Sequence, residues 1–122
     1  MKNIFLCTIA AVCLCLCSCE QAHISPPITI EMRQSWVRGF VLQITNRSTD
    51  HLECRVYASD NIKQSKTFRF VLRSGETQEI GHLELDGWYL DPGEYAIISV
   101  KGYLQNVKVK WNSEGRYSWE NI

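Results

Sequence analysis

The sequence predicts an all-β fold, a small antiparallel β-sandwich of about seven to nine strands that follows a cleaved signal peptide. Three observations predict it: short runs in which apolar and polar residues alternate, turn-forming clusters roughly every 8–12 residues, and no segment with convincing helical periodicity. The chain has 122 residues. Without a signal peptide it is long enough for one domain with a hydrophobic core, and too short for two.

The candidate strands follow one another from residue 28 onward. In the clearest ones, alternate residues are apolar and would share a buried face: Phe40, Leu42 and Ile44; Leu52, Cys54, Val56 and Ala58; Phe68, Phe70 and Leu72; Val107, Val109 and Trp111. Shorter signals lie at residues 28–30 and 117–119. Residues 95–100 are apolar on both faces, which predicts a central strand buried on both sides. Residues 77–85 form a further candidate strand with a broken alternation.

Turn-forming residues separate these runs, and three phrases that join a strand to a turn carry a family resemblance. The stretches LQITN (42–46), LRSGE (72–76) and LDPGE (90–94) resemble phrases of immunoglobulin-like and fibronectin-III-like bacterial domains. The resemblance covers most of residues 28–111 but is generic, and the Cys–Trp–Cys pattern of antibody domains is absent. It implies an immunoglobulin-like sandwich and implies almost nothing about function.

Residues 1–18 have the organisation of a bacterial signal peptide. Lys2 supplies a positive charge, and residues 4–16 form an apolar run broken only by Thr8. As a helix this run would be about 20 Å long, which is too short for the ~30 Å hydrocarbon core of a bilayer. It therefore predicts a cleaved signal and not a membrane-spanning helix.

The next four residues, Leu16-Cys17-Ser18-Cys19, resemble the lipobox of bacterial lipoproteins. Modification of Cys17 is the alternative, but it would leave Leu16 at the cleavage position, where a small residue is expected. The resemblance implies cleavage after Ser18 and a diacylglyceryl thioether on Cys19. Several acyl chains would then hold the protein on a membrane that it does not span.

This resemblance also implies a place and an organisation for the protein. We expect a cell-envelope lipoprotein, and Glu20 in place of aspartate favours the outer membrane over the inner membrane. Ser25-Pro26-Pro27 favours an extended chain. The predicted organisation is a signal peptide at 1–18, the lipidated cysteine and a tether at 19–27, and a β-sandwich domain at 28–122.

Charge and cysteine content exclude some classes of function. The chain has 13 basic and 13 acidic residues, and this balance gives no electrostatic reason to expect nucleic acid as a partner. Of the six cysteines, four lie in the signal and Cys19 is expected to be lipidated. Only Cys54 is left as a free thiol, so the mature domain cannot form an internal disulfide. Its strand position predicts a buried, unreactive group.

No catalytic motif is present, and we predict a protein that is not an enzyme and binds no cofactor or metal. Two alternatives to this prediction remain open. Cys54 could pair with His51 or His82 as a nucleophile and base. Four acidic residues within eleven positions could bind calcium, although acidic residues beside glycine and proline are ordinary in exposed turns: Glu84, Asp86, Asp91 and Glu94.

The aromatic residues are the most informative feature for function. Of the four tryptophans, at positions 36, 88, 111 and 119, Trp111 continues the apolar face of a strand and is expected in the core. Trp88 and Tyr89 lie between two turn signals. They would either pack over the end of the sandwich, which is the favoured interpretation, or contact a sugar ring or a peptide. We predict a non-catalytic interaction or structural module that binds an envelope protein or glycan; the alternative is a carbohydrate- or peptide-binding module that uses Trp88 and Tyr89.

Overall fold

The computed structural model describes residues 24–60 and 64–122, so the predicted signal peptide, Cys19 and most of the tether lie outside the described residues. Within the described ranges the chain forms eight strands: β1 (Ile28–Gln34), β2 (Phe40–Asn46), β3 (Leu52–Ser59), β4 (Ser65–Leu72), β5 (Thr77–Ile80), β6 (Tyr95–Val100), β7 (Val107–Trp111) and β8 (Tyr117–Asn121). They form a three-stranded sheet in the order β1-β2-β5 and a five-stranded sheet in the order β4-β3-β6-β7-β8. The predicted all-β sandwich is confirmed.

All strand pairs are antiparallel. The connections β2–β3, β4–β5 and β5–β6 cross from one sheet to the other, whereas the remaining neighbours are hairpins within a sheet. Crossings of this Greek-key kind are typical of immunoglobulin-like sandwiches.

The core lies between the inner faces of the two sheets and matches the predicted alternation. Leu42 and Ile44 of β2, Val56 of β3 and Val109 of β7 are fully buried. Each inward residue alternates with an outward one because successive side chains of a strand point to opposite faces. Trp111 is 5% exposed, and its indole N–H donates to the carbonyl oxygen of Asp91 at 2.7 Å. The expectation that Trp111 is a core residue is therefore confirmed.

Strand β6 departs from the prediction. Its residues alternate between buried and half-buried, so burial on both faces is wrong. No element of the described chain covers the outer face of the five-stranded sheet. Instead, the ammonium group of Lys108 lies 4.6 Å from the centre of the Tyr95 ring, and the aliphatic part of such a side chain partly shields the apolar outer face.

The predicted strand at 77–85 is shorter than expected and ends at Ile80. After it the Gly81 N–H donates to the Glu84 carboxylate at 2.7 Å, and the Leu85 N–H donates to the Gly81 carbonyl at 3.0 Å. These local bonds satisfy the backbone without a neighbouring strand. The resulting turns bury Leu85 and leave Leu83 80% exposed, which explains the broken alternation.

The sandwich has two ends with different loops. The proximal end, so called because the described chain enters there, comprises residues 47–51, 73–76 and 101–106 together with both described termini. The N–H of Gln105 donates to the carbonyl of Ile24 at 2.9 Å. The next residue, Asn106, exchanges backbone hydrogen bonds with Ile122 at 3.0 and 2.8 Å.

Asn46 holds the turns of the proximal end together. Its side chain is fully buried, and its amide nitrogen donates to the carbonyls of Asp50 at 2.7 Å and Leu72 at 3.0 Å. Its amide oxygen accepts from the N–H and hydroxyl of Ser48 at 2.8 and 2.7 Å. A buried polar side chain with this many partners fixes the two connections that cross between the sheets, β2–β3 and β4–β5, relative to each other.

Candidate functional site

The distal end of the sandwich comprises the loops 35–39, 81–94 and 112–116. Strand pairing brings the first two together, because Phe40 forms an isolated antiparallel bridge with Leu90 and its N–H donates to the Leu90 carbonyl at 3.0 Å. Gly39 precedes this contact with a φ of 72°. A Cβ atom at this position would lie 2.5 Å from the Leu90 carbonyl oxygen. Glycine is therefore required where the two loops cross.

Arg38 connects the loops 35–39 and 81–94 at the protein surface. Its guanidinium donates two hydrogen bonds to the Asp91 carboxylate, one of them from Nε at 3.0 Å, and lies 5.0 Å from the centre of the Tyr89 ring. The Asp91 carboxylate raises the pKa of Arg38 through the hydrogen bond and the charge. On the same ring, His82 stacks at 5.1 Å between centroids and 19° between planes. The Tyr89 ring therefore already contacts two side chains of the same protein, Arg38 and His82.

Trp88 is half-buried and packs against the hydrophobic core, as the favoured interpretation expected. Its indole N–H is buried and has no hydrogen-bond partner within the described structure. Burial raises the pKa of the neighbouring half-buried Glu94 carboxyl, and the hydrogen bond that it accepts from the Asp91 N–H acts in the opposite direction. The Trp88 side chain therefore closes the end of the sandwich, and its ring is not displayed as a platform.

The residue displayed at this end is Trp36, which is 95% exposed. It lies in the loop between β1 and β2, beside Val37, which is 66% exposed. In the loop 81–94, Leu83 follows His82 in the sequence and is 80% exposed. Trp36 is one of the four tryptophans of the sequence, and the sequence pattern predicts no role for it. The available signal was an apolar pair, Trp-Val, in a loop that has no strand alternation to bury it.

The candidate nucleophile and bases are not assembled. Cys54 is 4% exposed, its thiol contacts the carbonyl oxygen of Leu52 at 3.7 Å, and burial raises its pKa to about 11. The predicted burial of this thiol is confirmed. His51 is exposed in a proximal turn. His82 stacks on Tyr89 at the distal end, whereas Cys54 pairs with Val100 beside the proximal end.

The four acidic residues weighed as calcium ligands serve local contacts instead. The Glu84 carboxylate caps the Gly81 N–H, and that of Glu94 accepts from the Asp91 N–H at 3.0 Å. Asp91 binds Arg38, and Asp86 lies 3.5 Å from the ammonium of Lys66. Among the described residues no three metal-ligating side chains come together as a metal site would require.

Comparison of the chain with protein-family models, curated proteins and solved structures gave no match. No helix in the described ranges is long and apolar enough to cross a membrane.

Proposed function

We propose that this protein is a lipid-anchored lipoprotein of the cell envelope, with the outer membrane favoured, whose non-catalytic β-sandwich binds an envelope protein through its distal end. The observation that carries the proposal is Trp36: a tryptophan that is 95% exposed on a loop that hydrogen bonds hold in place. Large aromatic residues on a fixed support are typical of the few side chains that contribute most of the energy of a protein interface.

The support beneath Trp36 limits the entropy lost on binding. The loop from 35 to 39 is closed by the hydrogen bond from the Ser35 N–H to the Gly39 carbonyl at 2.9 Å, and Arg38 fastens it to Asp91. A loop already held in one conformation has less freedom to lose when a partner binds. Since the Trp36 side chain is 95% exposed, the partner that suits it has a pocket. Small molecules prefer the reverse arrangement, with the concavity on the protein.

The test compares two tryptophans at different places. Trp36→Ala is expected to change the free energy of unfolding by less than about 0.5 kcal/mol, because its ring is exposed. It should weaken partner binding by about 2 kcal/mol or more. Trp119→Ala, in strand β8 where the ring is 42% exposed, is the matched control and should retain the partner.

A photo-reactive amino acid at position 36 and, separately, at position 119 identifies that partner in intact cells. We expect one defined envelope protein to be crosslinked from position 36 only. The same products from both positions, or none from position 36, would contradict a binding role for the distal end.

Anchoring is supported by the lipobox-like sequence that ends at Cys19, and its test is independent. Cys19→Ser is expected to release the protein from membranes or to stop its processing, because the lipid chains are then absent. Partitioning into detergent with fractionation of the two membranes measures both anchoring and location. A Cys19→Ser variant of mature size that still partitions into detergent would show that the lipobox interpretation is wrong.

A glycan or peptide held by Trp88 and Tyr89 is the alternative, and it predicts a different outcome. Trp88 packs on the core and Tyr89 carries Arg38 and His82 on its ring, so a ligand there would have to displace contacts within the chain. A Trp88→Ala variant that keeps its stability but loses a glycan or peptide ligand would favour this alternative over the Trp36 site.

A further inference from the structure

Two arginines lie directly opposite each other on the outer face of the five-stranded sheet. Arg55 of β3 pairs with Arg69 of β4, and on its other side Arg55 pairs with Ser99 of β6. Both arginines are exposed. Like charges directly opposite each other destabilise an antiparallel pair, so this register places two cationic groups side by side at a cost to the fold.

Neither arginine is neutralised by a carboxylate in the described structure, whose ion pairs involve other residues. The nearest row along the strands contains Glu53, but its carboxylate lies 3.2 Å from the ammonium of Lys101. The two arginines and this ion pair line a shallow groove of about 750 Å³ together with Val71. The groove therefore carries an excess of positive charge, and its guanidinium groups have free donors.

The position of the groove relative to the anchor follows from the backbone. One wall consists of residues 101–103 and Asn106, in the loop that binds the entering chain: the Gln105 N–H and side chain hold Ile24 and Ser25 at 2.9 and 2.7 Å. Only four residues lie between Cys19 and Ile24, and the five steps from one Cα to the next span at most about 18 Å at full extension. A lipid on Cys19 would keep the groove close to the membrane surface.

Exposed apolar side chains lie at the same end. Leu104, in the loop beside the groove, is 84% exposed, and the neighbouring Ile24 and Ile122 are 40% and 48% exposed. Protein surfaces that bind a bilayer combine apolar and basic side chains. The apolar side chains insert between the acyl chains, and the basic side chains contact the headgroups.

We propose that the proximal end docks on the membrane that anchors the protein, with Arg55 and Arg69 binding the phosphates of anionic phospholipids and Leu104 entering the headgroup region. The inference rests on the proposed lipid anchor, which would keep the groove close to the membrane surface. Guanidinium groups suit phosphate because they present paired donors in one plane. Docking gives the anchored domain a fixed orientation, which directs Trp36 away from the membrane.

The experiment uses the lipidated protein, purified in detergent and reconstituted into vesicles, with Leu104→Cys labelled by an environment-sensitive fluorophore. The buried Cys54 should not compete for the label. In vesicles that contain phosphatidylglycerol we expect the label to report an apolar interface, which is lost in pure phosphatidylcholine and at high salt. Each arginine near an anionic surface contributes about fivefold, so Arg55→Gln with Arg69→Gln should weaken docking about 30-fold.

The matched control is Lys66→Gln with Arg116→Gln, which removes the same charge from the other end of the sandwich and should leave docking unchanged. Equal docking of the Arg55/Arg69 variant and the wild type, or docking that does not depend on anionic lipid, would overturn the proposal. So would displacement by inorganic phosphate far beyond that by chloride at equal ionic strength, which would identify a site for soluble phosphate.

Failure of the anchor and failure of docking give different results. The mass of the purified protein first establishes whether Cys19 carries lipid. If it does not, the same variants are sedimented with the same vesicles as the unlipidated protein, and the same dependence on Arg55, Arg69 and phosphatidylglycerol is expected. A lipidated protein that shows no such dependence rejects docking and leaves the anchor intact.

Discussion

The two ends of the sandwich are stabilised by different chemistry. At the proximal end the turns are short, and the buried amide of Asn46 makes hydrogen bonds that connect them. At the distal end a long segment, 81–94, is held by the backbone bridge at Leu90, by the packing of Leu85 and Trp88 on the core, by the hydrogen bond from the Trp111 indole to the Asp91 carbonyl, and by the exposed contact of Arg38 with Asp91.

This difference shows how one small fold can combine a proximal end of fixed conformation with a distal end whose exposed residues tolerate substitution. Buried, fully bonded polar groups define a single conformation, because breaking any of their bonds leaves a partner unsatisfied in the interior. Exposed ion pairs contribute little to the free energy of folding, even where one of them orients a loop. Exposed side chains of the distal end, Trp36 in particular, can therefore be replaced with little effect on folding.

The largest expected effect concerns Cys54, whose labelling reports opening of the structure beside the proximal end. Burial raises the pKa of its thiol from 9.0 to about 11, so at pH 8 the native thiolate fraction is about a hundredfold below that of the unfolded chain. Exclusion of the reagent slows the reaction further. We expect labelling at least about a thousandfold slower in the native protein than in denaturant, measured by mass spectrometry over time.

The sign of the pH dependence follows from the same shift. Well below pH 9 the Cys54 thiol is protonated in both the native and the unfolded state, and its contribution to stability does not change with pH. Between pH 9 and about 11 the unfolded chain loses the proton first, so stability falls as the pH rises. Rapid native labelling at pH 8 would mean that the proximal end opens easily, contrary to the comparison.

The next effect compares an asparagine at each end. Asn46→Ala removes the bonds to Asp50 and Leu72 from a buried site and is expected to lower the free energy of unfolding by about 2–4 kcal/mol. Asn112 makes similar turn contacts at the distal end, where its side-chain oxygen accepts from the N–H groups of Glu114 and Arg116, both at 3.0 Å. Because it is exposed, Asn112→Ala should cost less than about 1 kcal/mol. Denaturant unfolding measures both, and equal losses would remove the distinction between the ends.

The last comparison separates packing from polarity at Trp88, and its smallest expected effect is that of Trp88→Phe. Trp88→Ala is expected to cost about 2–4 kcal/mol, slightly less than a fully buried tryptophan, because the side chain is half-buried. Trp88→Phe keeps an aromatic ring but removes the buried N–H that has no partner, and should cost less than about 1.5 kcal/mol. Thermal unfolding of the three proteins tests this order. A large loss for Trp88→Phe would show that the N–H has a partner that matters.

Most of the fold was predictable because the alternation of side chains encodes which face of a strand is buried. Leu52 to Ala58 and Val107 to Trp111 follow this rule without exception. The burial of β6 was not predictable, because apolar residues such as Ile97 on an outer face look the same whether or not a further layer covers them.

The candidate sites were harder to predict because they depend on contacts between distant segments. The opposition of Arg55 and Arg69 exists only in the register of β3 with β4, and no local sequence signal specifies that register. Trp36 is exposed because no other loop packs against its side chain in the described structure. The pattern of a single sequence does not show which loops pack together. Trp88 was placed correctly because a bulky residue between two turns has the core as its nearest apolar surface.

Both described termini are held by adjacent residues, Gln105 and Asn106, which has a consequence for rearranging the chain. Termini that lie this close together can be joined by a short linker, and new ends can be opened at an exposed loop. Gly87, which is exposed in the segment between β5 and β6, is suited to such a cut. A circular permutant opened there would keep the strand order of both sheets and move the membrane attachment point to the distal end. The proximal end would then face away from the membrane.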